Sequence, residues 1–134
     1  MKNLQKEYGL YINGKWQPAS DGVTFKTYSP ATGEELAVCA EATREDVDAA
    51  VKAAHAAWES WKNTTPVERA VILNKIADII DANAQHLAEV ESLDNGKPIR
   101  ETSMIDIPMS ADHFRYFAAA IRTEEGTATM LDNN

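Results

Sequence analysis

Leu93-Asp94-Asn95-Gly96-Lys97-Pro98 is the stretch whose reading decides the fold. It ends a long helical pattern with several stop signals at once. Gly96 can take the left-handed conformation that closes a helix, Lys97 suits the negative end of the helix dipole, and Pro98 cannot continue the turn. The chain before it leads into a corner, and the chain after it leaves in a new direction.

Working back from that corner, Leu87, Ala88, Val90 and Leu93 continue a pattern that weakens at Asp81-Ala82-Asn83, where a bend or short break is expected near 81–85 and Asn83 is placed to cap a fresh turn. Ile72, Leu73, Ile76, Ala77, Ile79 and Ile80 are the expected buried stripe of the helix upstream. That helix opens at Thr65-Pro66-Val67-Glu68: Thr65 is the cap, Pro66 sits where its missing N–H costs nothing, and Glu68 completes a capping box. An earlier helix over about 44–61 starts at Thr43, with Asp46 three residues on. Val47, Ala50, Val51, Ala54, Trp58 and Trp61 recur along it at spacings of three and four.

Nearer the N-terminus the period falls to two. Leu10-Tyr11-Ile12 and Lys15-Trp16 flank Asn13-Gly14, a strong hairpin signal because a type I′ turn needs positive φ at both centre positions. Phe25-Lys26-Thr27-Tyr28 reads as a strand ended by Ser29-Pro30-Ala31-Thr32-Gly33. It is followed by Glu35 to Glu41, where Leu36, Val38 and Ala40 share one face and Ala37 and Cys39 the other. Two hairpin-like units are therefore expected, with residues 1–9 a flexible N-terminus.

Beyond the corner, a third helical stretch runs to about Glu125, with Gly126 as its stop. Pro108 lies inside it, and an interior proline costs ~3 kcal/mol unless a helix starts or kinks there. Two pieces are expected, one before Ile107 and one from Pro108. Residues 127–134 form a polar tail. The fold class is α+β: N-terminal β-hairpins followed by three to four helices.

Of 134 residues, 44% are hydrophobic and 25% charged, as in an ordinary soluble domain. The net charge of −8 and the lack of any Lys/Arg run argue against nucleic acid and anionic membranes as partners. No apolar run is long enough for a membrane span, and no secretory signal is seen. The single cysteine, Cys39, cannot form an internal disulfide, which fits a reducing, cytoplasmic setting.

Self-contained chemistry is not legible. Cys39 lies in an alternating strand with no feature nearby that would activate a thiol. His55, His86 and His113 do not pair at helical spacing, and there is no Gly-rich phosphate loop. No catalytic and no cofactor-binding residue is assigned. The helices carry long apolar stripes, and only a few short strands are available to cover them.

Tyr11-Ile12-Asn13-Gly14-Lys15-Trp16, Ser29-Pro30-Ala31-Thr32-Gly33-Glu34 and Leu93-Asp94-Asn95-Gly96-Lys97-Pro98 resemble, in order, the N-terminal landmarks of the NAD(P)-dependent aldehyde dehydrogenase superfamily. So do Glu45 to Val51 and the run from Asp106-Ile107-Pro108 to Ala118. The resemblance covers about 8–126. It implies that residues 10–126 are the first, incomplete part of a cofactor-binding domain, with 127–134 leading towards an oligomerisation strand. It also implies a parent several times longer that oxidises an aldehyde to a carboxylic acid with NAD or NADP, as a homodimer or homotetramer. The family's nucleophilic cysteine, water-activating glutamate and cofactor loop have no counterpart here, and Cys39 does not match the catalytic cysteine motif. The chain alone is therefore expected to be inactive and to bind no dinucleotide. By the same resemblance, Thr27, Tyr28 and Asp94 are candidate ligands of a monovalent cation, for which oxygen donors are suited. The alternative is a stand-alone interaction module that keeps this N-terminal fold.

Overall fold

The computed structural model describes residues 4–130. The outermost parts of the expected flexible N-terminus (1–3) and polar tail (131–134) lie outside the described residues. Five short strands precede a run of helices, which is the α+β arrangement.

The Asn13-Gly14 turn forms with φ of 51° and 76° and joins β2 (Leu10–Ile12) to β3 (Lys15–Gln17). Tyr11 pairs with Trp16 across the hairpin, ring centroids 5.1 Å apart. The second unit pairs β4 (Thr24–Tyr28) with β5 (Glu35–Ala40), and a bulge interrupts the register between Thr27 and Tyr28. One strand lies inside the stretch expected to be loose. β1 (Glu7–Tyr8) runs parallel to β5, giving a sheet of order β1-β5-β4. Two residues are too few to show a period, and their partners lie some thirty residues away, so local pattern could not reveal this strand.

Helix α1 (Arg44–Trp61) opens at Thr43 as expected, and Thr43 and Asp46 form a full capping box. The same carboxylate does more than close the box. Asp46 is buried, and its Oδ2 accepts from the backbone N–H of Thr43 (3.0 Å) and of Ser20 (3.1 Å) as well as from both hydroxyls. These bonds, the Thr43 N–H first and the Ser20 N–H second, hold its carboxyl below the usual carboxylate range despite burial. A lowered folded pKa contributes stability that is present above the unfolded value of 3.8 and is lost as pH falls through the folded one. Asp46→Ala is therefore expected to lower the melting temperature by several degrees at pH 7. The gap to the parent chain should narrow in melts below about pH 4. A gap independent of pH would contradict this account.

Helix α2 (Pro66–Ala82) starts on the Thr65–Glu68 box with Pro66 in its first turn. The break comes where expected, but Asn83 acts backwards. Its Nδ2 donates to the Ile79 carbonyl (2.8 Å), closing α2, and its side chain does not cap α3 (Ala84–Asn95). The expected stripe of α2 is only partly covered: Ile72 and Ile79 remain 41% and 62% exposed, while Ala70 and Ala77 are buried. α2 packs mainly against α5 (Ile107–Ala120), whose Ala111 and Ala118 are also buried. Alanines let the two backbones come near, so the large side chains splay to the sides of the contact.

After Pro98 the chain does not divide into two helices. A short turn, α4 (Ile99–Glu101), runs through a π-helical turn, Thr102–Asp106, straight into α5. The Ile107 N–H reaches back to the Thr102 carbonyl, so the ladder has slipped one residue just before Pro108. The wider turn accommodates the proline without a break. A 3₁₀ turn, Ile121–Thr123, ends the helix short of Gly126.

Candidate functional site

The Leu93–Pro98 corner is where separate parts of the chain converge. Gly96 closes α3 at φ 79°, its N–H donating to the Ser92 carbonyl (3.0 Å). Asn95 Oδ1 accepts from the Lys97 N–H (2.8 Å). Lys97, which suits the negative end of the helix dipole, also has its Nζ 2.6 Å from Asp106 in the π turn and 3.9 Å from Glu91. The hydrogen bond to Asp106 holds its ammonium pKa above the ordinary value. Thr102 is fully buried. Its hydroxyl donates to the Ala88 carbonyl (3.0 Å) and accepts from the Ser92 hydroxyl (2.9 Å), fastening the π turn to α3.

The β4–β5 turn arrives from the other side. The Ser29 N–H donates to the Glu34 carbonyl and the Gly33 N–H to the Ser29 carbonyl, so Pro30 is held at the turn's edge. A β-carbon placed on Gly96 would stand 3.0 Å from Pro30 Cγ. Two motifs more than sixty residues apart in sequence are thus in contact.

On the side of the corner formed by Leu93 and Asp94 lies a cavity of about 370 Å³, walled mainly by Leu36, Cys39, Leu87, Val90, Leu93 and Ile107. Thr27 and Asp94 both line it, as does Glu91. Two of the three candidate cation ligands are therefore brought to one cavity. Tyr28, on the far side of the bulge, is 53% exposed. The lining residues of this cavity that carry side-chain oxygen are Tyr8, Thr27, Glu91 and Asp94; the rest of its wall is apolar apart from Cys39. Among the described residues no group of three His, Cys, Asp or Glu is placed to hold a metal.

Cys39 is half-buried on β5 and faces this largely apolar space. His55, His86 and His113 are exposed on α1, α3 and α5. The structure does not assemble these groups into a nucleophile and base. Among the described residues no helix is long and apolar enough to cross a membrane.

The sequence profile of the "Aldehyde dehydrogenase family" matches residues 16–134. The chain is 51% identical over 129 residues to an aldehyde dehydrogenase of Rhodospirillum rubrum, covering 96% of this chain and 26% of that protein. It is 48% identical over 128 residues to acetaldehyde dehydrogenase 2 of Cupriavidus necator, covering 96% and 25%. Among solved structures, the NAD+ complex of an aldehyde dehydrogenase from Bacillus cereus superposes with a TM-score of 0.90 at 42% identity, covering 96% of this chain and 27% of that one. The chain spans about a quarter of the length of the relatives it matches.

Proposed function

Since the chain belongs to the aldehyde dehydrogenase family, we propose that it supplies the opening part of the cofactor-binding domain of an oxidoreductase that converts an aldehyde to a carboxylic acid with NAD or NADP. Residues 10–126 form that part, and 127–134 lead on to the oligomerisation strand of a homodimeric or homotetrameric parent. The observation that carries this reading is the match over residues 16–134. The contact between the Pro30 turn and the Gly96 corner agrees with it, since both belong to landmarks of the resemblance.

Aldehyde oxidation through a covalent intermediate needs an activated nucleophile and a place for the nicotinamide. Cys39, the single thiol, is committed to a strand and faces an apolar wall. This chain's contribution is structural: a rigid corner and helix faces against which the rest of a subunit packs. Exposed Ile72, Ile79 and Met109 on α2 and α5 fit that role. The chain alone is expected to form no NADH or NADPH from aldehyde. Grafted in place of the matching segment of the Rhodospirillum rubrum relative, it is expected to give an active enzyme, whose mass in solution reads the oligomeric state. A folded but inactive chimera, or turnover by the isolated chain, would overturn the proposal. Fractionation of cells expressing the parent tests the cytoplasmic assignment; recovery outside the cytoplasm would refute it.

The Thr27 and Tyr28 backbone oxygens, with the Asp94 carboxylate, are proposed to hold a monovalent cation at the corner. Replacing choline chloride by potassium or sodium chloride should raise the melting temperature of the chimera, and Asp94→Ala should remove the rise. Equal melting in all three salts would dismiss the site.

A further inference from the structure

The tripeptide Asn-Gly-Lys occurs twice in the chain, at 13–15 and at 95–97. Asparagine before glycine is a chemically weak spot, because glycine has no side chain to shield its nitrogen from the neighbouring carboxamide. The glycine nitrogen bonds to the asparagine Cγ, the Cγ–Nδ2 bond breaks, and ammonia leaves with the glycine proton. Water then opens the cyclic imide to aspartate or isoaspartate. The two copies carry the same reacting groups, and what separates them is how each is folded.

At the corner every one of those groups is occupied. Asn95 is the last residue of α3, and the Gly96 N–H donates to the Ser92 carbonyl (3.0 Å). Asn95 Oδ1 accepts from the Lys97 N–H (2.8 Å), and its Nδ2 donates to Glu91 (3.3 Å). Ring closure must swing the carboxamide and the glycine nitrogen onto each other, which gives up these bonds. Ser92 is itself tied to fully buried Thr102 (2.9 Å), so the last turn of α3 does not swing alone. At the hairpin, Asn13 stands at φ 51° in a two-residue turn. Among the described residues neither its side chain nor the Gly14 N–H makes a hydrogen bond. The turn joins strands of three residues each, a pairing that opens at little cost.

We infer that Asn95 is a latent deamidation site, kept closed by the bonds that end α3, and that Asn13 is its reactive counterpart. The bonds that protect Asn95 lie within residues 91–102. They owe nothing to whatever surrounds the chain, nor to the aldehyde dehydrogenase reading. The reaction is one-way. Aspartate at 95 replaces a donor to Glu91 by a like charge one helical turn away, and isoaspartate adds a methylene to the backbone. Either product loosens the corner, so an opening that reaches ring closure leaves a permanent chemical change beside Asp94.

Peptide mapping by mass spectrometry, after incubation in mildly alkaline buffer with and without guanidinium chloride, provides the test. Each site's rate in guanidinium is its own reference. In the folded chain Asn95 is expected to slow by roughly tenfold or more, and Asn13 by much less. Thr102→Val, which removes the tie to Ser92, should speed conversion at Asn95 and leave Asn13 unchanged. Circular dichroism establishes that the chain is folded, and the chimera with the Rhodospirillum rubrum relative takes its place if it is not. Equal slowing at the two sites would overturn the inference, as would conversion of Asn95 in the folded protein as fast as in guanidinium. So would a Thr102→Val rate at Asn95 no greater than the parent's.

Discussion

Gly96→Ala is expected to destabilise the chain by about 2–3 kcal/mol in urea unfolding at neutral pH. Two costs combine. Gly96 sits at φ 79°, where a residue with a β-carbon loses roughly 1–2 kcal/mol. The new methyl would also stand 3.0 Å from Pro30 Cγ, tighter than ordinary contact, and Pro30 is held by the hydrogen bonds of the Ser29–Glu34 turn. Two further variants separate these costs. Gly96→Asn tolerates the left-handed backbone but still carries the β-carbon, so it should recover only part of the loss. Pro30→Ala should be less harmful in the Gly96→Ala background than alone, with a coupling of about 0.5 kcal/mol or more. If Gly96→Ala costs under about 0.5 kcal/mol, the corner is not the rigid joint described above.

Thr102→Val is expected to cost about 1–3 kcal/mol, although it preserves side-chain volume. The Thr102 hydroxyl is fully buried and is the partner of both the Ala88 carbonyl and the Ser92 hydroxyl. Valine would take away the Ser92 hydroxyl's partner and the second hydrogen bond of the Ala88 carbonyl, and it would put a methyl against both polar groups; unmade buried hydrogen bonds cost more than made ones contribute. Thr102→Ser keeps the hydroxyl and loses only a methyl, so it should cost about 1 kcal/mol. Thermal and urea melts of the pair provide the check. Valine proving no worse than serine would mean that the π turn is held by packing alone. The loss matters beyond α4, because the π turn carries Asp106, which anchors Lys97 at the corner.

Both residues mark what local reading reaches. Gly96 was legible as a helix stop because its signal lies in its neighbours: the apolar period ends, lysine follows, then proline. That Pro30 rests against it was not legible, because the contact joins turns far apart in the chain. Thr102 carried no signal at all. A threonine in a polar run reads as surface, and only the slipped ladder ahead of Pro108 turns it inward. Pro108 itself was visible, but a proline announces a disturbance without saying whether a break, a kink or a π turn absorbs it.

The candidate cation ligands show the same division. Thr27 and Asp94 were singled out by resemblance, and the fold brings both to one cavity while leaving Tyr28 largely exposed. The walls of that cavity come from β1, β4, β5, α3 and α5 together, a set that no window of sequence contains. Cys39 was set aside on its strand context; the fold places it, half-buried, on the wall of the same cavity.

The helix caps at Thr43, Thr65 and Gly96, the Asn13-Gly14 turn, the break near Asn83 and the family itself were determined by the sequence alone. Each depends on residues within a few positions of one another, or on an ordered series of such motifs. Tertiary structure alone decided the parallel pairing of β1 with β5, the burial of Ala70 and the exposure of Ile72 and Ile79 on α2, and the π turn. Those outcomes depend on which distant surface arrives first to exclude water, and a short stretch of chain carries no record of its distant neighbours.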